Sequence, residues 1–148
     1  MAGLKKHPGV LFMQTQPEYK INCADRIKQV ISFEGLVYNT IRPTDADGLI
    51  EYKNRAWVMF EIKHRKAECG RGQKLALERF AIDTMRAGKK SISIIAEHEV
   101  DDHHIIVVAA CCMVREIYFG TEKKWRPPHK EISLKDCVDK FLLYVDKE

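Results

Sequence analysis

An apolar run that ends in charge, residues 57–63, restricts the fold of this chain more than any other segment. Side chains alternate between the faces of a strand, and the first part of this run is apolar on both faces. That pattern is typical of a central strand, which we expect over residues 55–63. At its end one face turns charged, because Glu61 and Lys63 point to the same side. The sequence therefore predicts a central strand whose charged end can form the floor of a cleft.

A second strand-like run, residues 47–52, precedes this strand. A three-residue hairpin loop would pair Tyr52 with Ala56 and place Asp47 directly opposite Glu61. The Cβ atoms of opposed residues lie about 4.5–5.5 Å apart, so the two carboxylates could share one cation. A two-residue loop would put the two acids on opposite faces. Both loops are compatible with the sequence, and the absence of an Asn-Gly pair favours the longer one.

Two close carboxylates suit a hard cation such as Mg²⁺, which binds oxygen ligands and keeps several waters. We expect Asp47, Glu61 and the main-chain carbonyl of Ile62 to be its ligands. The ion would polarise a phosphate and lower the pKa of a bound water. Lys63 would orient that water as a base or stabilise charge in the transition state. Acid-x-Lys is also common at an ordinary solvated strand end, and only the strand context favours a site.

Periodicity, capping residues and turn signals predict an α/β (α+β) domain with the element order α-β-β-β-α-β-β-α. The expected elements are a helix over residues 22–32, strands over 37–41, 47–52 and 55–63, a helix from 70–72 to Gly88, a strand over 91–96, one or two strands within 104–118, a loop over 123–128 and a helix capped by Ser133.

Length and composition indicate one domain over residues 1–148, with 45% hydrophobic and 31% charged residues, as in soluble globular proteins. No apolar stretch approaches the roughly 20 residues of a membrane span. The first nine residues lack the apolar core of a signal peptide. We therefore expect a cytoplasmic protein with no membrane partner. The five cysteines are an odd number without a C-x-x-C pair, which predicts reduced thiols.

Four side chains in these positions give the chain a likeness to a known group of enzymes: Asp47, Glu61, Lys63 and Gln73. Over about residues 34–97 the chain resembles the PD-(D/E)XK nuclease superfamily. The helix that ends at Gly88 before a strand is similar to that of the small virus-type replication-repair nucleases and of Holliday junction resolvases.

The resemblance implies a restriction-endonuclease-like core, with a mixed central sheet flanked by helices. It also implies hydrolysis of DNA with Mg²⁺, for which Mn²⁺ can substitute. Asp47 takes the place of the motif aspartate, Glu61 that of the second acid and Lys63 that of the lysine. Gln73 matches a glutamine that some branches carry on the following helix, although a polar first-turn residue in solvent is the ordinary alternative.

The chain also departs from the family pattern. Ala46 stands where the motif has proline, and Leu77 stands where the glutamine branches often have tyrosine. Asp45 competes with Asp47 for the aspartate role because both share one strand face. Many members add an acid from the first helix, for which Glu34 is the candidate.

Basic residues surround these acids in the sequence. They could contact phosphates, together with the N-terminus of the second helix, and the segment around Trp125 could stack on an unpaired base. Each run taken alone is more often a solvated loop. The residues are His64 to Lys66, Arg71, Lys74, Lys89 and Lys90.

The sequence thus predicts a Mg²⁺-dependent deoxyribonuclease that acts in a bacterial or phage-infected cell, where a structure-specific enzyme of DNA repair or recombination is one form it could take. A homodimer would supply a second active site. The alternative is a non-catalytic module of the same fold that binds nucleic acid or a protein. Endonuclease or exonuclease action, the preferred DNA and the role of residues 100–148 all remain open.

Overall fold

A computed structural model of the chain describes residues 32–148. These residues belong to two compact units, one that ends at Pro43 and one from Thr44 to Glu148. In the described part of the first unit, Tyr38 and Ile41 form an isolated bridge. The prediction of a single domain over the whole chain stays a prediction.

Five strands form one mixed sheet in the second unit. They are β1 (Gly48–Tyr52), β2 (Ala56–His64), β3 (Lys90–His98), β4 (Met113–Phe119) and β5 (Trp125–Arg126), and they lie in the sheet in this order. β2 and β3 are parallel, whereas the other neighbours are antiparallel. A parallel pair requires a crossover connection, and the helix α1 (Arg71–Arg86) provides it. The predicted mixed α/β class is confirmed.

The helix α1 covers the face of the sheet on which the charged end of β2 lies. The hydroxyl of Ser93 on β3 donates a hydrogen bond of 2.8 Å to the carbonyl of Leu77 on α1. The ring of Trp57 on β2 meets that of Phe80 edge-on, with centroids 6.1 Å apart. Because side chains alternate along β2, the face that carries Trp57 also carries the charged residues at the end of the strand.

The main apolar core lies on the opposite face, under the helix α2 (Leu134–Asp146). As predicted, Ser133 caps α2, since its hydroxyl accepts a hydrogen bond of 3.1 Å from the N–H of Asp136. Neither described helix is both long and apolar enough to cross a bilayer. The buried core residues are Ala56, Val58, Ile92, Ile94, Val114, Ile117, Leu134, Cys137, Val138, Phe141 and Val145.

The expected element boundaries around the site agree with the structure to within one or two residues. The α1 helix ends near Gly88, which has a φ of 79° at the position after the C-cap. The helix expected over residues 22–32 lies outside the described residues, except for Ser32, which is not helical. The described cysteines are free thiols, as expected: Cys69, Cys111, Cys112 and Cys137.

Two expected elements are wrong, the strand over residues 37–41 and the loop over residues 123–128. The expected strand region over 104–118 contains one strand, β4, which begins later than predicted. The strand over residues 37–41 is a turn with a single bridge, because Asn39 adopts a φ of 58° that a strand cannot accommodate. The apolar residues that begin the expected strand over 104–118 are exposed, and a 3₁₀ turn (Ala109–Cys111) precedes β4. The expected loop over 123–128 contains β5.

Candidate active site

The hairpin between β1 and β2 has the three-residue loop. Tyr52 pairs with Ala56, and Gly48 pairs with Phe60, so the next position outward places Asp47 beside Glu61. Asp47 lies at the exposed end of this hairpin, immediately before β1. The expected parity is therefore confirmed, and the two acids belong to the same face of the strand pair.

The carboxylate of Asp47 is anchored to the neighbouring strand. Its Oδ2 accepts a hydrogen bond of 2.6 Å from the main-chain N–H of Ile62. This bond holds the aspartate against the end of β2, at the residue that stands between Glu61 and Lys63 in the sequence. The negative charge of Asp47 is therefore held next to the two charged side chains of that strand end.

Glu61 and Lys63 form an ion pair at the end of β2. The Nζ of Lys63 lies 2.7 Å from Oε1 of Glu61. Residues two positions apart share one face of a strand, so these two side chains can meet. Glu61 is buried, with 5% of its surface exposed, and the Lys63 side chain is 16% exposed. Burial by itself lowers the pKa of Lys63. The hydrogen bond and the charge of Glu61, helped by the charge of Asp47, outweigh burial, so the pKa is raised above its ordinary value.

Gln73 from α1 completes a closed cluster with this pair. Its Nε2 donates to Oε1 of Glu61 at 2.9 Å, and its Oε1 accepts from Nζ of Lys63 at 2.9 Å. Gln73 reaches the strand because it lies one turn before Leu77, on the helix face that packs against the sheet. Gln73 therefore points towards the charged end of β2, and its alternative as a solvated first-turn residue is wrong.

The N-terminus of α1 opens beside this cluster. Gly70 is the N-cap and makes no side-chain cap, and the first turn carries no acidic residue. A Cβ atom at Gly72 would meet no atom of residues 32–148 within 4 Å, so the described part of the chain leaves the space beside the first turn open. Free N–H groups and the positive end of the helix dipole favour an anion at this place. Arg71 and Lys66 lie exposed on the same end of the molecule.

A second row of charges extends the site across the sheet to β4. Lys74 donates a hydrogen bond of 2.9 Å to Glu116, and Arg115 lies 3.5 Å from Glu97. Arg115 also donates to the carbonyl of Ala67 at 2.9 Å, which ties β4 to the loop before α1. The sequence indicated Lys74 but not Arg115 or Glu116, because the place of these two β4 residues depends on a register shift between β3 and β4.

Cys69 belongs to this loop and lies next to the cluster. Its Sγ is 4.0 Å from Oε1 of Gln73, and the side chain is half-buried. Burial raises the pKa of the thiol, while the neighbouring Lys63 works in the opposite direction. The sequence alone does not indicate Cys69 either, since a lone cysteine before a glycine carries no recognisable signal.

The oxygen donors at this end of the sheet suit a hard cation. Asp47 and Glu61 supply two carboxylates, and the expected third ligand, the carbonyl of Ile62, belongs to the residue between Glu61 and Lys63. Within residues 32–148, no three His, Cys, Asp or Glu side chains converge on one point. A set of two carboxylates and neutral oxygens matches Mg²⁺, which completes its shell with water. Asp45 lies exposed before β1, and Glu34 belongs to the first unit.

Several basic residues expected beside the acids lie elsewhere. Lys90 pairs with Ala56 and Glu61 with Ile95, so Lys89 and Lys90 stand at the other end of the parallel strands. Five residues of strand correspond to about 17 Å. The prediction that these lysines lie beside the acids is therefore wrong.

Trp125 does not present a free face for a base. Its ring packs on that of Tyr118 with centroids 5.2 Å apart, and its Nε1 donates a hydrogen bond of 2.7 Å to Glu78. Lys74 covers the ring at 5.2 Å. The aromatic side chain holds β5 against the sheet and α1, so the expected stacking on an unpaired base is not supported.

Comparisons of the chain with protein-family models, with curated proteins and with solved structures find no match in any of the three. Function must therefore be inferred from the geometry of the side chains at the end of β2.

Proposed function

We propose that the chain is a Mg²⁺-dependent deoxyribonuclease built on a restriction-endonuclease-like core. One observation carries the proposal. Glu61, Lys63 and Gln73 come from two elements and form a single hydrogen-bonded cluster. Asp47, which precedes β1, is held beside them by the main-chain N–H of Ile62. Acids, an ammonium group and an amide in one place at an open strand end suit phosphodiester hydrolysis.

The roles of the side chains follow from their surroundings. Asp47 and Glu61 would hold the ion, with the carbonyl of Ile62. When bound, Mg²⁺ would polarise the scissile phosphate and acidify a water. Lys63 donates hydrogen bonds to both Glu61 and Gln73, so we assign it the role of a fixed positive charge that stabilises the transition state. Gln73 orients the ammonium group of Lys63.

The open first turn of α1 gives the DNA backbone a place to lie. A phosphate there would accept hydrogen bonds from the uncapped N–H groups near Gly70 and Gly72. Arg71 and Lys66 would hold adjacent phosphates. Such contacts position the backbone and carry no sequence information, which agrees with a nuclease that recognises DNA structure.

A non-catalytic module is the second candidate, and the closed cluster itself favours it. The ion pair is already satisfied by Gln73, and Asp47 is already bound to a main-chain N–H. Such a cluster could simply join α1 to the sheet. The two candidates differ in one respect, since only a nuclease needs the cluster to open towards a cation and a phosphate.

Cleavage assays decide between them. The full chain is incubated with linear, circular, single-stranded and branched DNA, with Mg²⁺, with Mn²⁺ and with EDTA. Lys63→Ala should lower cleavage at least about 100-fold, the usual cost of removing one transition-state donor. Lys53→Ala is the matched control, because Lys53 also pairs with a carboxylate, Asp146, but at the other end of the sheet.

The fold of each variant is checked by circular dichroism and by its melting temperature. Removal of one partner from a buried ion pair can cost about 3–5 kcal/mol, so we expect Lys63→Ala to reduce stability as well as activity. Asp47→Asn avoids this difficulty, because Asp47 is exposed and asparagine can still accept the bond from Ile62. Absence of Mg²⁺-dependent cleavage on every DNA form would reject the nuclease.

A further inference from the structure

A cavity of about 890 Å³ lies at the end of the sheet remote from the candidate active site. It opens between the start of β3, the end of β4, the turn after β4 and one face of α2. Pockets for small molecules usually measure about 300–1,000 Å³, so this cavity is large enough for a ligand of ordinary size.

The floor of the cavity is apolar. Ile92 and Ile117 come from the sheet, Phe141 comes from α2, and Phe119 and Ile132 close the sides. Ile92, Ile117 and Phe141 also belong to the main core. Phe119 and Ile132 are only partly buried, so a ligand with an apolar body could displace water from their exposed surface, which is the dominant gain in such pockets.

The rim of the cavity is strongly basic. Among the described residues that line it, Glu122 is the single acid, and it already pairs with Arg126 at 2.8 Å. Lys90 pairs with the terminal residue Glu148. The lysine and arginine residues of the lining are Lys89, Lys90, Arg126, Lys130 and Lys140.

Three of these lysines have no carboxylate partner in the described part of the protein: Lys89, which is bonded to the neutral side chain of Asn54, and Lys130 and Lys140. No carboxylate of residues 32–148 lies within ion-pair distance of Lys130 or Lys140. Both lysines are exposed, one from the loop before α2 and one from the middle of α2. Two uncompensated ammonium groups above an apolar floor complement a ligand that is apolar at one end and anionic at the other.

We propose that this cavity binds a small amphipathic anion, with its apolar body against Phe119 and Ile132 and its carboxylate or phosphate between Lys130 and Lys140. The same chemistry is present in a fatty acid and in a nucleoside monophosphate. The inference does not depend on nuclease activity, because none of the lining residues belongs to the cluster at the end of β2.

Calorimetric titration of the full chain tests the proposal with three probes: decanoate, thymidine monophosphate and inorganic phosphate. At least one of the first two should bind with a Kd of about 100 μM or lower. Inorganic phosphate should bind at least about tenfold more weakly, because it offers nothing to the apolar floor. A preference for decanoate or for the nucleotide shows whether the cavity fits a fatty acid or a nucleoside monophosphate.

Variants locate the binding. Lys140→Glu and Lys130→Glu should each weaken binding by about tenfold or more, since each removes a charge-assisted hydrogen bond to the anion. Arg79→Glu is the control, with the same change of charge on an exposed residue of α1 that does not line the cavity. Thr121→Trp places bulk at the rim and should weaken binding by filling space instead of by changing charge.

Two results would overturn the proposal. One is no binding of either decanoate or the nucleotide to the full chain. The other is that Lys130→Glu, Lys140→Glu and Thr121→Trp weaken binding no more than Arg79→Glu does. That result would mean that the ligand binds elsewhere. Either result leaves the nuclease proposal untouched, because the cleavage assay does not use these residues.

Discussion

The ring of Phe60 lies across the backbone of Gly48. A Cβ atom at position 48 would stand 2.0 Å from Cζ of that ring, closer than real Cβ atoms come to their neighbours. The two residues are register partners on β1 and β2, and Phe60 packs against the main core. Position 48 therefore has room only for glycine. The packing of Phe60 on this glycine holds the two strands together at the end of the hairpin where Asp47 lies.

Gly48→Ala should destabilise the fold, because the new methyl group must push the Phe60 ring out of its place. Overpacking of this kind costs about 1–3 kcal/mol. In Gly48→Ala combined with Phe60→Leu, the added cost of the alanine should be smaller, since the smaller side chain leaves room. Urea unfolding of the two single variants and the double variant measures this coupling. Strict additivity of the two effects would show that the Phe60 ring does not limit position 48.

Asp101 gives the fold a dependence on acid pH. It pairs with Arg65, and His64 lies 2.8 Å from its Oδ1. The hydrogen bond from Arg65, followed by that from His64, lowers the pKa of Asp101 from 3.8 to about 2. A carboxyl with a lowered pKa stabilises the folded state above its unfolded pKa. That contribution disappears as pH falls from about 4 through about 2.

Asp101→Asn should therefore lower the melting temperature at pH 7, and its difference from the parent should shrink between about pH 4 and pH 2. Glu131→Gln is the control, an exposed carboxylate with no ion-pair partner among the described residues. Melting curves at several pH values measure the effect. A difference that stays constant down to pH 2 would mean that the carboxylate acts through its shape and not through its charge.

The hairpin and the cluster are predictable because their determinants are local. Loop length and the alternation of apolar residues decide the register of β1 on β2, and that register decides where Asp47 lies. Gln73 precedes Leu77 by one helical turn, so the apolar stripe of α1 already indicates its direction. The α2 cap at Ser133 is local in the same sense.

The errors arise where distant segments decide the structure. Ile105 and Ile106 have the composition of a strand but find no neighbouring strand among residues 32–148, so they are exposed. The two-residue strand β5 exists because Trp125 packs on Tyr118, which no local pattern reveals. Lys90 follows α1 closely in sequence, which suggests a place beside the acids, but the parallel pairing puts it at the opposite strand end.

The arrangement of basic residues predicts which ones bind DNA. Arg71 and Lys66 lie at the end of the molecule that holds the cluster, whereas Lys89 lies at the other end, bonded to Asn54. Arg71→Ala should weaken DNA binding and reduce its salt dependence by about 0.9 units of slope, the value for one phosphate that is no longer neutralised. Lys66→Ala should behave in the same way.

Fluorescence anisotropy of a labelled duplex in EDTA, measured over a range of salt, provides both the affinity and the slope. Lys89→Ala is the matched control and should leave the two quantities unchanged. An equal weakening by Lys89→Ala would contradict the proposed orientation of the DNA along the first turn of α1.

The direction in which Asp47→Asn changes DNA binding shows whether Asp47 is a metal ligand or a structural carboxylate. Asparagine retains an oxygen that can accept the bond from Ile62, so the fold should be preserved while the charge is removed. In EDTA, DNA binding should be unchanged or tighter, because the negative charge near the phosphate is gone. In Mg²⁺, cleavage should disappear with that ligand. Ca²⁺ should support binding but little cleavage, since it accepts looser geometry.

Binding in EDTA and in Ca²⁺, together with cleavage in Mg²⁺, is measured for the parent and for Asp47→Asn. Asp83→Asn serves as the control, since it removes an equal charge from an exposed ion pair near the other end of α1. Weaker binding of Asp47→Asn in EDTA would show that the carboxylate supports the strand end through Ile62 instead of repelling the phosphate. Unchanged or tighter binding in EDTA, joined to loss of cleavage in Mg²⁺, is the combination that a metal ligand just before β1 requires.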